Sequence, residues 1–210
     1  MKFISLIIIL TLFASAGNIN ADDDMVLIPR GKFMFGDGKK KIELKEFYID
    51  KYEVTNSQYK KFRPEHTFPA EKADFPVVEI TYFDAEEYCK WAGKRLPTAE
   101  EWEKAARGED GRIFPWGNKF DSKNANTSEA GTGGPVNVGS FKSGKSPYGV
   151  YDMSGNVWEW VDAWNPKKQY RFVRGGSYFE GEDLNRTTSS LMSIPDDMHE
   201  YIGCRCAKSK

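Results

Sequence analysis

The chain has 210 residues, and its 30 Lys and Arg are offset by 31 Asp and Glu, a formal net charge of −1. That balance argues against a nucleic-acid binder, which carries a basic excess on one face. The length suits one domain with a proper core.

Residues 3–16 are an apolar run behind a single Lys2, and small residues lead to Ala21 before Asp22-Asp23-Asp24. This pattern predicts a cleaved secretory signal over residues 1–21 and a folded domain over 22–210. The run is shorter than the roughly 20 residues a spanning helix needs, so no stable membrane span is expected after cleavage.

Residues 25–35 read as a β-rich entry with Pro29 and Gly31 as turn formers. Lys39-Lys40-Lys41 reads as a solvated turn. Residues 42–49 alternate well enough to predict one strand. Thr55 with Gln58 has the pattern of a capping box opening a short helix through Phe62, and residues 63–76, with three prolines, predict loop. Two clearer helices follow. One spans residues 84–91, with Tyr88 and Trp91 on one face and Gly93 ending it. The other opens at Thr98, capped with Glu101, turns Trp102, Ala105 and Ala106 to one side, and stops at Gly108. Residues 109–150 are rich in Gly, Asn, Ser, Pro and Lys, a long irregular segment of the kind that carries function. Short strands are expected around residues 157–161, 172–178 and 204–207. Two helices among many loops and short strands predict an α+β domain with little regular secondary structure.

Chemistry-bearing motifs are few. His66 and His199 are the two histidines, far apart in sequence. Ser177 has no evident His and Asp partners for a hydrolase triad, and no dinucleotide or Walker-type glycine pattern occurs. The three cysteines are Cys89, Cys204 and Cys206. An exported chain permits a disulfide, and an odd count leaves one thiol over. Residues two apart in a strand share a face, so either Cys204 or Cys206 can face Cys89.

Three runs, in order, resemble the formylglycine-generating enzyme (sulfatase-modifying factor) family: Gly93-Lys94-Arg95-Leu96-Pro97-Thr98, Gly155-Asn156-Val157-Trp158-Glu159-Trp160, and Arg174-Gly175-Gly176-Ser177-Tyr178. The resemblance covers nearly all of residues 22–210 and implies a fold related to C-type lectins. It also implies a disulfide between Cys89 and Cys206, and a Ca²⁺ site formed by Gly155, Asn156, Val157 and Glu159, whose carbonyl and carboxylate oxygens suit a hard cation. A second family Ca²⁺ site would start near Asn126 and Thr127. The loop over residues 128–135 lacks the Asp such a site needs, so it is not expected here.

The family's oxidase holds copper with two Cys after the Gly-Gly-Ser-Tyr run. Here those positions fall on Glu180 and Asn185, which cannot replace thiolates as Cu(I) ligands, so no copper is expected. The resemblance also implies a ligand-binding cleft around Trp160, Ser177, Tyr178, Glu180 and Asn185. The resulting expectation is a periplasmic or secreted binding or accessory module. Its partner would be a peptide, a protein or a glycan. The alternative is an oxidoreductase of the same family, in protein or siderophore maturation, using a non-cysteine site.

Overall fold

The computed structural model describes residues 24–210. The expected leader, residues 1–21, lies outside the described residues. Among them, no helix is long and apolar enough to cross a membrane.

Three small sheets carry the fold. β1 (Met25–Ile28) pairs antiparallel with β4 (Phe47–Asp50), and β4 pairs with β9 (Ala207–Ser209) on its other side. β2 (Gly31–Phe35) and β3 (Lys40–Leu44) form a hairpin. β5 (Trp158–Trp164) lies between β6 (Arg171–Arg174), antiparallel, and β8 (Ile202–Gly203), parallel, with β7 (Ser190–Ser193) as the outer strand on β6. The single strand predicted over residues 42–49 is therefore corrected. Lys45 and Glu46 break it, and its halves join different sheets.

The helices start where their caps dictate. α1 (Asn56–Phe62) and α3 (Ala99–Arg107) carry the capping boxes of Thr55 with Gln58 and Thr98 with Glu101. α2 (Tyr82–Trp91) begins two residues before its predicted start, because Thr81 and Asp84 form a reciprocal cap of their own. Residues 109–150 hold only short 3-10 turns, as their composition predicts.

Two buried clusters fill the interior. Tyr59, Tyr82, Tyr88, Trp158 and Trp160 pack between α1, α2 and β5. Trp102, Ala105 and Ala106 of α3 pack against Phe47, Ile49, Val150 and Met153. The Cys89–Cys206 disulfide joins α2 to the approach of β9, and Cys204 stays a buried free thiol. Glu103, fully buried on α3, accepts from Arg107 (2.7 Å), Arg174 of β6 (2.5 Å) and the Gly36 amide (2.6 Å). That triad anchors α3 to the hairpin and to the central sheet. Burying the carboxylate is tolerable because both guanidinium groups reach it.

Candidate functional site

The loop leading into β5 is built on unusual backbone. Asp152, Gly155 and Asn156 all have positive φ. A Cβ on Gly155 would collide with the Asn126 carbonyl, so only glycine lets the two loops touch. Asn156 is the knot between them. Its Oδ1 accepts from Asn126 Nδ2 (3.1 Å) and the Val136 amide (3.0 Å), and its Nδ2 donates to Glu53 Oε1 (3.0 Å). Its main-chain N–H donates to Asn126 O and its carbonyl accepts from Tyr178. Asn156 was expected as a Ca²⁺ ligand; here its side-chain amide is consumed by protein partners instead.

Glu159 is also committed elsewhere. Arg205 reaches both of its oxygens, Nε to Oε2 at 2.7 Å and Nη2 to Oε1 at 2.8 Å, and Trp102 Nε1 adds 2.7 Å to Oε2. The remaining Arg205 donors go to the carbonyls of Asp50 and Tyr151. A fully buried carboxylate is stable only with such partners, and Glu159 has three donors on its two oxygens.

The carboxylates with capacity left are Glu53 and Asp152, which the sequence reading passed over. Both are buried, and each feels the other's charge or proton. Glu53 Oε2 has no partner. Burial, then the neighbouring Asp152, pushes the Glu53 carboxyl well above its ordinary range. Burial likewise raises Asp152 to about 6, although the Gly139 amide donates to it at 2.6 Å. Glu159 binds the Arg205 guanidinium directly, while Glu53 and Asp152 lie near enough to feel its charge. Among the described residues no three His, Cys, Asp or Glu side chains converge as a metal cluster. A cation here would depend on Glu53, Asp152 and main-chain carbonyls such as those of Gly155 and Val157.

The second group of expected residues is brought together, but not as an open cleft. Trp160 is fully buried in the core, its Nε1 donating to Ile80 O at 3.1 Å. Ser177 and Asn185 are fully buried too. Asn185 Nδ2 donates to the carbonyls of Glu180 (2.7 Å) and Gly181 (2.8 Å), which shapes that turn. A Cβ on Gly176 would strike Asn185, so the Gly175-Gly176 pair admits this amide. These three residues are corrected from ligand contacts to supports, because their polar atoms face the protein. Tyr178 and Glu180 are half-buried, and Phe179 between them is 72% exposed. Glu180 Oε1 accepts from Trp158 Nε1 (3.1 Å) and Oε2 from Ser177 Oγ (2.5 Å), so its carboxylate plugs the floor beneath this face. Outside the disulfide, the thiol among the described residues is Cys204, and burial pushes it well above its ordinary range.

The chain matches the family described as sulfatase-modifying factor enzyme 1-like domain over residues 13–210. It is 30% identical over 267 residues to a Mus musculus protein named inactive C-alpha-formylglycine-generating enzyme 2, covering 90% of this chain and 86% of that one. It is 35% identical over 168 residues to the Mus musculus formylglycine-generating enzyme, covering 65% of this chain and 45% of that one. The chain thus spans about half the length of several curated relatives it matches. Among solved structures it is similar to Treponema denticola variable protein 1, with a TM-score of 0.76 at 18% identity over 89% of this chain and 95% of that one. PvdO from Pseudomonas aeruginosa superposes with a TM-score of 0.74 at 26% identity over 90% of this chain and 97% of that one.

Proposed function

The chain belongs to the sulfatase-modifying factor enzyme 1-like family, and from that membership we propose that it is an exported binding or accessory module rather than a copper oxidase. The observation that carries this reading is the Glu180 plug. A carboxylate held by Trp158 and Ser177 stands where the family resemblance calls for a thiolate, and a buried amide, Asn185, stands at the second position. Cu(I) needs soft sulfur ligands, and neither residue supplies one. The residues present do not fit copper, and no oxidase step is assigned to them.

The partner is a peptide, a protein or a glycan docking on the face formed by Tyr178, Phe179 and Glu180. Phe179 supplies exposed apolar area and Glu180 a fixed acceptor beside it. Export to the periplasm or the exterior is supported by the Cys89–Cys206 disulfide, since such bonds persist in oxidising compartments. The same reading includes Ca²⁺, held by Glu53, Asp152 and the Gly155 and Val157 carbonyls, which would offset the buried negative charge.

Two measurements on the mature protein test this. Oxygen uptake with a Cys-containing peptide and Cu(I) should stay at background, and a competing chelator should strip all copper. Binding to peptide and glycan arrays should fall in Tyr178→Ala and Glu180→Gln, with circular dichroism unchanged. Stoichiometric copper with peptide turnover, or copper-free oxygen uptake, would overturn the reading in favour of an oxidoreductase. Binding unaffected by both variants would remove the Tyr178–Glu180 face as the docking site.

A further inference from the structure

We propose that the turn after the Phe114–Trp116 pair forms a second binding site, a cavity for a neutral saccharide separate from the Tyr178–Glu180 face. The cavity measures about 580 Å³ and is lined by Trp116, Lys119, Phe120, Asp121, Asn124 and Glu129, among others. That volume lies within the range of about 300–1,000 Å³ typical of small-molecule sites.

Its aromatic wall is preorganised. Trp116 stacks on buried Phe114, ring planes 10° apart and centroids at 5.2 Å, and Phe114 also holds Phe120 at 5.5 Å. Trp116 Nε1 donates to Lys119 O at 2.9 Å, which fixes the indole in rotation. Such rings cost little conformational entropy when a ligand packs on them. Glu129 is fixed as well: it accepts from Thr127 Oγ1 (2.7 Å) and from the Glu182 amide (3.0 Å).

The polar groups have spare capacity. Asp121 uses Oδ1 to hold the Lys123 amide at 3.0 Å, and Oδ2 takes no hydrogen bond from another described residue. The Asn124 amide and the Lys119 ammonium make no side-chain hydrogen bond to another described residue. An aromatic wall, a carboxylate oxygen and two kinds of N–H donor therefore face one cavity.

The charge pattern narrows the ligand. Asp121 and Glu129 outnumber Lys119, which disfavours phosphates, nucleic acids and uronic acids. A wholly apolar ligand would leave the amide and carboxylate unpaired, at a cost. A cationic peptide would meet Lys119. A pyranose satisfies every group. Its C–H face packs on Trp116 and Phe120, and its hydroxyls both donate to Asp121 and accept from Asn124 and Lys119.

The test is a titration of the full mature chain with maltose, cellobiose, lactose and chitobiose, followed by tryptophan fluorescence and saturation-transfer NMR. At least one disaccharide should bind saturably. Trp116→Ala should weaken that binding about tenfold or more, a change of about 1.4 kcal/mol. Asp121→Asn and Asn124→Ala, both at the surface and outside the core, should each weaken it several-fold with melting unchanged. These two variants keep the test decisive if Trp116→Ala disturbs the turn. A sugar lost on Asp121→Asn but kept on Tyr178→Ala is bound in this cavity, and one with the reverse pattern is bound at the docking face, so the two readings fail separately. Three outcomes overturn the proposal: no saturable binding to any of the four sugars, binding that survives Asp121→Asn and Asn124→Ala unchanged, or binding only of a Lys-Arg-Lys tripeptide, titrated alongside, that is lost on Asp121→Asn.

Discussion

Arg205 grips both oxygens of Glu159 through hydrogen bonds of 2.7 and 2.8 Å, with neither residue exposed to solvent. The pair joins the approach of β9 to β5 in the middle of the molecule. Removing one partner strands the other. Arg205→Met should cost about 3–5 kcal/mol in urea unfolding. Adding Glu159→Gln should recover part of that loss, because the amide oxygen still accepts from Trp102 and carries no charge. Two equally destabilised variants would show that the charge is not the cause.

The Glu53–Asp152 pair makes stability depend on pH. Asp152 is raised from 3.8 to about 6, so the folded state binds its proton more tightly than the unfolded chain. Its contribution is complete below about pH 4 and is lost as pH rises through about 6. His66 acts in the opposite sense in that window, because burial lowers its pKa. The difference between wild type and Asp152→Asn isolates the carboxyl. In EDTA, wild type should lose melting temperature relative to Asp152→Asn between pH 5 and 7. A constant difference across that range would refute the assignment.

Calcium should reverse that loss. At pH 7, millimolar Ca²⁺ should raise the melting temperature of wild type, as a ligand specific for the folded state must. Glu53→Gln should abolish most of the rise. An equal rise in both proteins would place the ion elsewhere.

The Cys89–Cys206 bond closes a separation of 117 residues. In the chain-entropy view it contributes about 4–5 kcal/mol. Cys89→Ser should lower the urea midpoint accordingly, and reductant should then have no further effect. Cys204 should react with a thiol reagent only after unfolding, since it is fully buried.

Glu180→Leu removes the acceptor of Trp158 Nε1 and Ser177 Oγ together. The expected loss is about 1–3 kcal/mol. Glu180→Gln keeps one acceptor and should lose less. Urea unfolding of the two variants checks the order.

The family and the fold were legible in sequence because they rest on local signals: capping boxes, glycine turns and contiguous motifs. Spacing left Cys204 and Cys206 equally open as the mate of Cys89, and the choice of Cys206 came from the family resemblance alone. The Thr81–Asp84 cap escaped notice because Asp stands where Glu or Gln is the familiar signal. The site was less legible. Ser177 and Asn185 sit in a polar, loop-rich stretch and Trp160 in a short strand, and nothing local shows that their polar atoms point inward. Arg205 did leave a trace, a lone charge between Cys204 and Cys206, yet its partner Glu159 lies 46 positions away. Glu53 and Asp152 are similarly remote from one another, so their crowding exists only once the chain has folded.

The central strand of the first sheet, β4, takes β9 as a neighbour. Arg205 and Cys206 lie just before that strand. One edge of the first sheet, the cation that holds Glu159 and the mate of Cys89 therefore all come from a single short segment. Contacts so distant in sequence close late in folding. Fraying of residues 204–209 would release the sheet edge and the buried ion pair together, leaving the disulfide as the one tether.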